Sequence, residues 1–388
     1  MISVEQALAL VFALVTPLPT EIVPLGLANG RFMPGPATAK RDQPPFAASA
    51  MDGYAINGDA RPGATFTVIG EAGAGHAFAG ALSPGQAIRI FTGAPVPTGA
   101  SRVVIQEDVD ASGTQITLKQ NLDSGTNIRP MGQDFRAGST LAPRLLRPND
   151  IALLAAMNIA EVPVTRRPVV AIIATGDELV MPGEDPRPDQ IIASNSFALK
   201  AMVEDAGGTA RMLPIARDTE GALRTVLEMA KGADLIVTIG GASVGDHDLV
   251  GKVAAQMGMD RAFYKIAMRP GKPLMAGRLH GVPMLGLPGN PVSAIVCGHL
   301  FLLPMLRAML GQGAHPPQTR TARLAVNIAA NGPRAHYMRA RLSGDLITPF
   351  DRQDSALLTI LTEANALLIR PIGDGPLQAG TEVAYLPI

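Results

Sequence analysis

Three glycine- and proline-rich turns carry most of the chemistry in this 388-residue chain. The apolar run Leu235–Ile239 feeds GGASVGDHD, where Gly240, Gly241, Ser243 and Gly245 lead to the acids Asp246 and Asp248. MRPGKP spans Met268–Pro273, and GLPGNP spans Gly286–Pro291, with Pro288, Gly289 and Asn290 just ahead of an apolar helical pattern. Glycine lets the backbone approach a phosphate closely, and a helix start supplies unpaired N–H groups and positive potential. Turns that follow the strands of a parallel sheet gather along one edge, where such folds bind ligands. Three ordinary βα turns are the competing explanation, but three in one region with mixed charges point to a single ligand crevice.

The acids and the cations call for different chemistry. Glu178 in ATGDEL, Asp218 in ARDTEGAL and Asp248 fall at the carboxyl ends of successive β units. Carboxylates beside a phosphate-type loop suit Mg2+, which takes few carboxylates and keeps phosphate oxygens and waters. Asp218 also fits a helix N-cap, in a capping box shifted by one residue. Six histidines without paired spacing argue against zinc. Lys265, Arg269 and Lys272 cluster over eight residues, and Pro270, Gly271 and Pro273 fix the backbone between them. A guanidinium fork, ammonium groups and backbone N–H donors make a pocket for a tetrahedral oxyanion.

A second group of polar residues lies earlier in the chain. Asp52 and Tyr54 occupy SAMDGYAI, Thr92 opens the loop of FTGAPVPTGA, and NIRPMGQDF carries Arg129 and Asp134. Rigid loops bearing one polar group each are how a scaffold presents contacts. Any site they share with the crevice must lie at a domain or subunit interface.

The elements that position these groups change character along the chain. Ser3-x-x-Gln6 is a capping box for a helix over Val4–Val15, followed by the extended, proline-rich passage Thr16–Pro45. Residues 46–140 alternate short strand patterns with Gly/Pro turns and predict a β-rich inserted domain. RPNDIALLAAMNIA restores a helix, capped by Asn149 or Asp150. From Arg167 strands and helices alternate, which predicts a doubly wound α/β domain over 167–315. The tail, 316–388, returns to short strands with no convincing helix and predicts a small β-barrel. The fold class is thus multidomain α/β plus β. An extended domain I (1–45 and 141–166) accompanies the β-rich domain II, the central α/β domain III and the barrel, domain IV.

Composition excludes several classes of function. The 33 basic and 33 acidic residues balance, with no block of like charge, which argues against nucleic acid or an anionic membrane as partner. The lone cysteine, Cys297, rules out an intrachain disulfide and reads as a buried core thiol. The N-terminal apolar stretch lacks a basic n-region and contains Glu5, so a cytoplasmic protein without a signal peptide or membrane span is expected.

Together, SAMDGYA, TGAPVPTGA, NIRPMGQD, ATGDEL, GGASVGDHD, MRPGKP and LPGNPVSA occur in the order seen in molybdopterin molybdenumtransferases. The resemblance, to the MoeA and gephyrin E-domain family, runs from about residue 3 to 388 and includes the tail segment HYMRARL…QDSALLTILTEANALL. It implies insertion of molybdate into adenylyl-molybdopterin with release of AMP, assisted by Mg2+. It also implies an elongated homodimer whose site combines one subunit's α/β and barrel domains with the partner's β-rich domain. Carried over by motif, Asp52, Thr92, Arg129 and Asp134 would come from that partner. Glu178, Asp218, Asp248, Lys265 and Arg269 would belong to the α/β cleft. Arg269, Lys272 and Pro273, with Arg339 and Ser355 from the tail, resemble the family's molybdate pocket. Arg269 stands where some members carry lysine. An upstream adenylyltransferase and recipient molybdoenzymes are the implied partners. Two alternatives remain at this point: an adenylyltransferase acting one step earlier on the same α/β domain, and a non-catalytic scaffold.

Overall fold

In the computed structural model residues 1–241 and 249–388 are described; Ser243, Gly245, Asp246 and Asp248 therefore lie outside the described residues. The chain divides into two compact units, Met1–Glu21 with Val164–Ile388, and Ile22–Pro163.

The first unit is built on six strands: β1 (Val169–Ala174), β2 (Thr209–Met212), β3 (Leu235–Ile239), β4 (Asp260–Tyr264), β5 (Met275–Leu279) and β6 (Val282–Leu287). Their order in the sheet is β2-β1-β3-β6-β5-β4. The first four run parallel to one another, β5 pairs antiparallel with β6, and β4 antiparallel with β5. β1 and β3, VVAIIA and LIVTI, are apolar at nearly every position because both faces of the sheet are covered. Val170, Ile172, Val237 and Ile239 face one apolar core, whereas Ala171, Ile173 and Ile236 face another.

Six helical segments cover those faces: α1 (Val4–Ala13), α2 (Asn195–Asp205), α3 (Glu220–Met229), α4 (Leu249–Gln256), α5 (Pro291–Cys297) and α6 (Leu303–Met309). α1, α2, α5 and α6 pack on the first face, α3 and α4 on the second. The central domain is therefore doubly wound. The helix α1 does carry the expected capping box, Gln6 N to Ser3 Oγ at 3.2 Å and Ser3 N to Gln6 Oε1 at 2.9 Å. It packs in the α/β core through Val4, Leu8 and Val11 instead of joining the extended region, because its apolar residues recur on one face. α5 and α6 are joined by a π-helical turn, Gly298–Leu302. This is the one described run with the length and apolarity of a membrane span, at mean hydropathy 1.7, and 78% of it is buried in the protein. Cys297 lies inside it, fully buried, and burial pushes its thiol pKa up.

The tail forms a closed ring of β7 (Arg320–Leu324), β8 (Ala335–Ser343), β9 (Leu346–Pro349), β10 (Ala366–Arg370) and β11 (Glu382–Pro387). β8 pairs with β9 and β10, β9 with β7, β7 with β11, and β11 with β10, so no edge is left open. A short helix, α7 (Leu358–Glu363), interrupts it where no helix was expected. Its six residues are too few to show a helical period in sequence.

In the second unit, six strands pair in the order Arg102–Ile105, Gly53–Ile56, Gln86–Ile90, Thr65–Ala72, Gln115–Leu118 and Val109–Ser112. Alternate residues, Ala55 against Ile56 and Val103 against Val104, enter two separate cores. The proline-rich passage is ordered by pairing with the returning chain, in the registers Thr140 with Thr38 and Arg144 with Met33. The helix Pro148–Ala156 begins after Arg147, not at Asn149 or Asp150; Asp150 instead accepts the Arg147 N–H at 2.9 Å.

The start of α3 corrects another expectation. Thr219 is the N-cap, its hydroxyl accepting from Ala222 N at 3.2 Å, so Asp218 has no capping task. Thr219→Ala is expected to lower stability by about 1 kcal/mol. Asp218→Ala should stay within about 0.5 kcal/mol. Urea denaturation of the two variants checks both values.

Candidate functional site

The carboxyl ends of β1, β3 and β6 open into a cleft of about 930 Å³. Its walls include Glu178, Asp218, Gly240, Gly241, Pro273, Pro288, Gly289 and Asn290, so all three turns of the sequence contribute. The glycines are sterically required here. Gly240 and Gly241 hold φ values of +89° and +62°. A Cβ on Gly241 would collide with Val250 and the Thr175 hydroxyl. Three helix starts reach the cleft through Asn195, Leu249 and Pro291. Asn195 Nδ2 donates to Gly289 O at 2.6 Å and ties the first of these starts to the third turn. Free N–H groups and the positive ends of helices make this a place for phosphate.

The loop bearing Glu178 is held from behind. Arg217 donates to the carbonyls of Asp177 at 3.0 Å and Leu179 at 3.1 Å, and Asp218 N donates to the Asp177 carboxylate at 3.1 Å. Asp177 thus serves the backbone. Among the described residues no hydrogen bond or ion pair engages the carboxylates of Glu178 and Asp218. Arg217 was not singled out in sequence, since an arginine in the loop between β2 and α3 carries no pattern of its own.

A second cavity, of about 300 Å³, adjoins the first and shares Pro273 and Asn290 with it. Arg269, Lys272 and Ser355 line it, as the resemblance implied, together with Arg334, His336 and Gln353, which sequence reading missed. The turn is tight enough that a Cβ on Gly271, at φ +107°, would meet Cys297 Sγ at 2.5 Å. Ser355 is held against the α/β domain: its hydroxyl accepts from Asn290 Nδ2 at 2.9 Å, and its carbonyl accepts from Val292 N at 3.0 Å.

Two of the expected cations lie elsewhere. Arg339 is 1% exposed and lines neither cavity. Its guanidinium donates to the carbonyls of Leu357 at 3.2 Å and Arg352 at 3.3 Å, on either side of Ser355. It is a brace for the loop, because a buried guanidinium must use its donors on whatever carbonyls surround it. Lys265, at φ +69°, places its ammonium 4.7 Å from the centre of the Tyr264 ring and lines neither cavity.

Two histidines stay neutral, His336 buried and His299 half-buried. Burial, with four guanidiniums led by Arg269, pushes the His336 pKa down to about 3, and burial lowers His299 to about 4. Between about pH 6.5 and pH 4 the unfolded chain binds these protons and the folded chain does not, so stability falls as pH falls through that window. At pH 5 His336 alone should cost on the order of 2 kcal/mol relative to neutral pH. Denaturation at pH 7.5 and pH 5 should show a correspondingly smaller drop for His336→Asn.

In the other unit, Arg129 and Asp134 line a pocket of about 580 Å³ with Gln43, Phe46 and Gly93. The strand pairing of Arg129 with Ala48 sets its position. Beside Gly93, Thr92 donates to Asp52 Oδ1 from both its N–H and its hydroxyl, each at 2.7 Å. Those bonds hold the Asp52 carboxyl below its usual range. The four polar residues of the β-rich domain thus fall into two adjoining pairs.

Comparison with known proteins agrees with this architecture domain by domain. Residues 171–308, the doubly wound sheet and its cleft, match the probable molybdopterin binding domain. Residues 2–158 match the MoeA N-terminal region (domain I and II), and 321–388 the MoeA C-terminal region (domain IV). The chain belongs to the MoeA family of molybdopterin molybdenumtransferases. It is 34% identical to the molybdopterin molybdenumtransferase of Nostoc sp., covering 100% of this chain and 94% of that one. It is 36% identical to molybdopterin molybdenumtransferase 2 of Mycobacterium tuberculosis, over 93% of each. A crystal structure of the molybdopterin biosynthesis MoeA protein of Pyrococcus horikoshii superposes with a TM-score of 0.86 at 30% identity, covering 100% of this chain and 99% of that one.

Proposed function

We infer that this chain carries out the insertion step of molybdenum cofactor biosynthesis, in which adenylyl-molybdopterin receives molybdate and AMP leaves. The observation that carries this reading is the pair of contiguous cavities, a phosphate-type cleft opening beside a small cation-lined pocket through a shared Pro273 and Asn290. A substrate with a phosphate-rich end and a metal-accepting end would occupy both. An adenylyltransferase would need neither the barrel that supplies Ser355 nor the β-rich domain. The present chain has both, matched over its full length.

Within that reading, backbone N–H groups at Gly240, Gly241 and the helix starts hold the phosphates. Arg269, Lys272 and the Ser355 hydroxyl hold the tetrahedral dianion beside them. Glu178 and Asp218 fit Mg2+: they are hard oxygen donors without described partners, and both line the phosphate cleft. Bound there, Mg2+ would neutralise charge on the phosphate. The decisive experiment incubates purified protein with adenylyl-molybdopterin, molybdate and Mg2+ and follows AMP. Molybdate-dependent AMP release supports the reading; AMP formation from ATP and molybdopterin without molybdate would return the chain to the adenylyltransferase step.

The β-rich domain enters through a homodimer, by the same reading, with Asp52, Thr92, Arg129 and Asp134 completing the partner's cleft. Mixing Asp52→Ala with Asp218→Ala subunits should then recover about a quarter of the wild-type activity, because one site of each heterodimer keeps both residues. Absence of recovery despite verified subunit exchange would place the two residues in one subunit's site or in none.

A further inference from the structure

The small pocket contains an imidazole in an unusual role. The strand Met268–Arg269 runs parallel to the start of β8, with Arg269 opposite His336. Arg269 Nη2 lies 2.8 Å from His336 Nδ1. A guanidinium only donates, so Nδ1 must accept and the imidazole proton sits on Nε2. His336 is 5% exposed, and its environment keeps it neutral over the working pH range. Arg269 itself is exposed toward the cavity, where Lys272 and Arg334 add two further cations.

We propose that His336 is a positioning residue of the oxyanion pocket, a neutral acceptor that fixes the Arg269 guanidinium without cancelling its charge. This rests on the assignment of the pocket to molybdate and identifies how the pocket selects a dianion. A long, exposed arginine loses side-chain freedom when it grips an ion, and an acceptor behind it removes part of that cost beforehand. A carboxylate would hold the guanidinium more tightly. It would also remove one positive charge from a cavity of about 300 Å³ whose ligand carries two negative ones. Imidazole avoids that loss, so Arg269, Lys272 and Arg334 all act on the ligand.

The test uses the full-length protein with three substitutions. His336→Asn keeps an acceptor where Nδ1 lies, His336→Asp puts a charge there, and His336→Leu removes the acceptor. Molybdate binding is measured by calorimetry, alongside the molybdate concentration for half-maximal AMP release, the rate at saturation, and the melting temperature. Asn should stay within about threefold of wild type in molybdate affinity, whereas Asp and Leu should weaken it about tenfold. Saturated rates should change less than affinities. The Asp variant should lose affinity without a matching loss of melting temperature, which a merely structural histidine would not produce. Molybdate affinity in the Asp variant equal to wild type, or losses in all variants that follow melting temperature, would overturn the proposal. Should Leu fail to fold, the Asn and Asp pair carries the comparison. If wild type binds no molybdate, the insertion reading itself falls; if wild type binds it and Asn and Asp behave alike, only the role of His336 falls.

Discussion

Replacing Arg269 and Lys272 together by alanine is expected to raise the molybdate concentration for half-maximal AMP release about 100-fold or more. Each charge-assisted hydrogen bond contributes roughly 1.5–3 kcal/mol, and each 1.4 kcal/mol is a factor of ten. Both residues sit on a turn fixed by Pro270 and Pro273 and line the same small cavity. Their loss should act on the dianion and leave binding of adenylyl-molybdopterin in the larger cleft nearly intact. Sulfate, tetrahedral and of equal charge, should compete weakly in wild type and not at all in the double variant. Loss of nucleotide binding with unchanged molybdate dependence would mean that this turn grips the phosphates instead. Arg339→Met is a useful companion. Its guanidinium supports the carbonyls flanking Ser355, so the variant should lose stability and molybdate affinity together.

Neutralising Glu178 and Asp218 together, by Glu178→Gln and Asp218→Asn, should reduce AMP release about 100-fold or more, since a bound metal contributes several kcal/mol of charge stabilisation. The melting temperature should hardly change, because neither carboxylate has a described partner and the helix cap belongs to Thr219. Excess Mg2+ should restore part of the activity of either single variant and little of the double. Full activity in the double variant would remove the acids from the reaction and leave the glycine turns and helix starts as the phosphate-binding groups.

Much of this arrangement was readable from the chain alone, for physical reasons that differ by element. The strands β1 and β3 announce themselves because a sheet covered on both faces needs unbroken apolar runs. The closed barrel is legible from its short alternating strands, whereas α7, six residues long, is not. Gly240, Gly241 and Gly271 stand out because only glycine tolerates their backbone angles beside Thr175, Val250 and Cys297. Side chains that act through tertiary contacts leave no such trace. Arg334 and His336 reach the small cavity because β8 begins beside Met268–Arg269, a pairing across 67 residues that no local spacing foretells. Arg339, three residues further on, is buried and donates its guanidinium to the carbonyls of Leu357 and Arg352. The motif places Arg339 in the pocket, whereas the pocket's lining includes Arg334, just before β8, and His336, its second residue. Asp218 and Thr219 illustrate a finer limit, since a one-residue shift in helix start moves the capping task from acid to hydroxyl.

Pro273 and Asn290 are walls of both cavities, and that shared boundary has a thermodynamic consequence. An occupant of the large cleft that shifts these two residues alters the energy of any ion in the small one, and the reverse follows with the same magnitude. If adenylyl-molybdopterin tightens the hold on molybdate by some factor, molybdate must tighten the hold on adenylyl-molybdopterin by that factor. AMP departure then changes the affinity of the pocket it leaves behind. The two sites would then form one linked equilibrium, in which measuring either affinity with the other cavity empty and again with it filled determines the coupling for both.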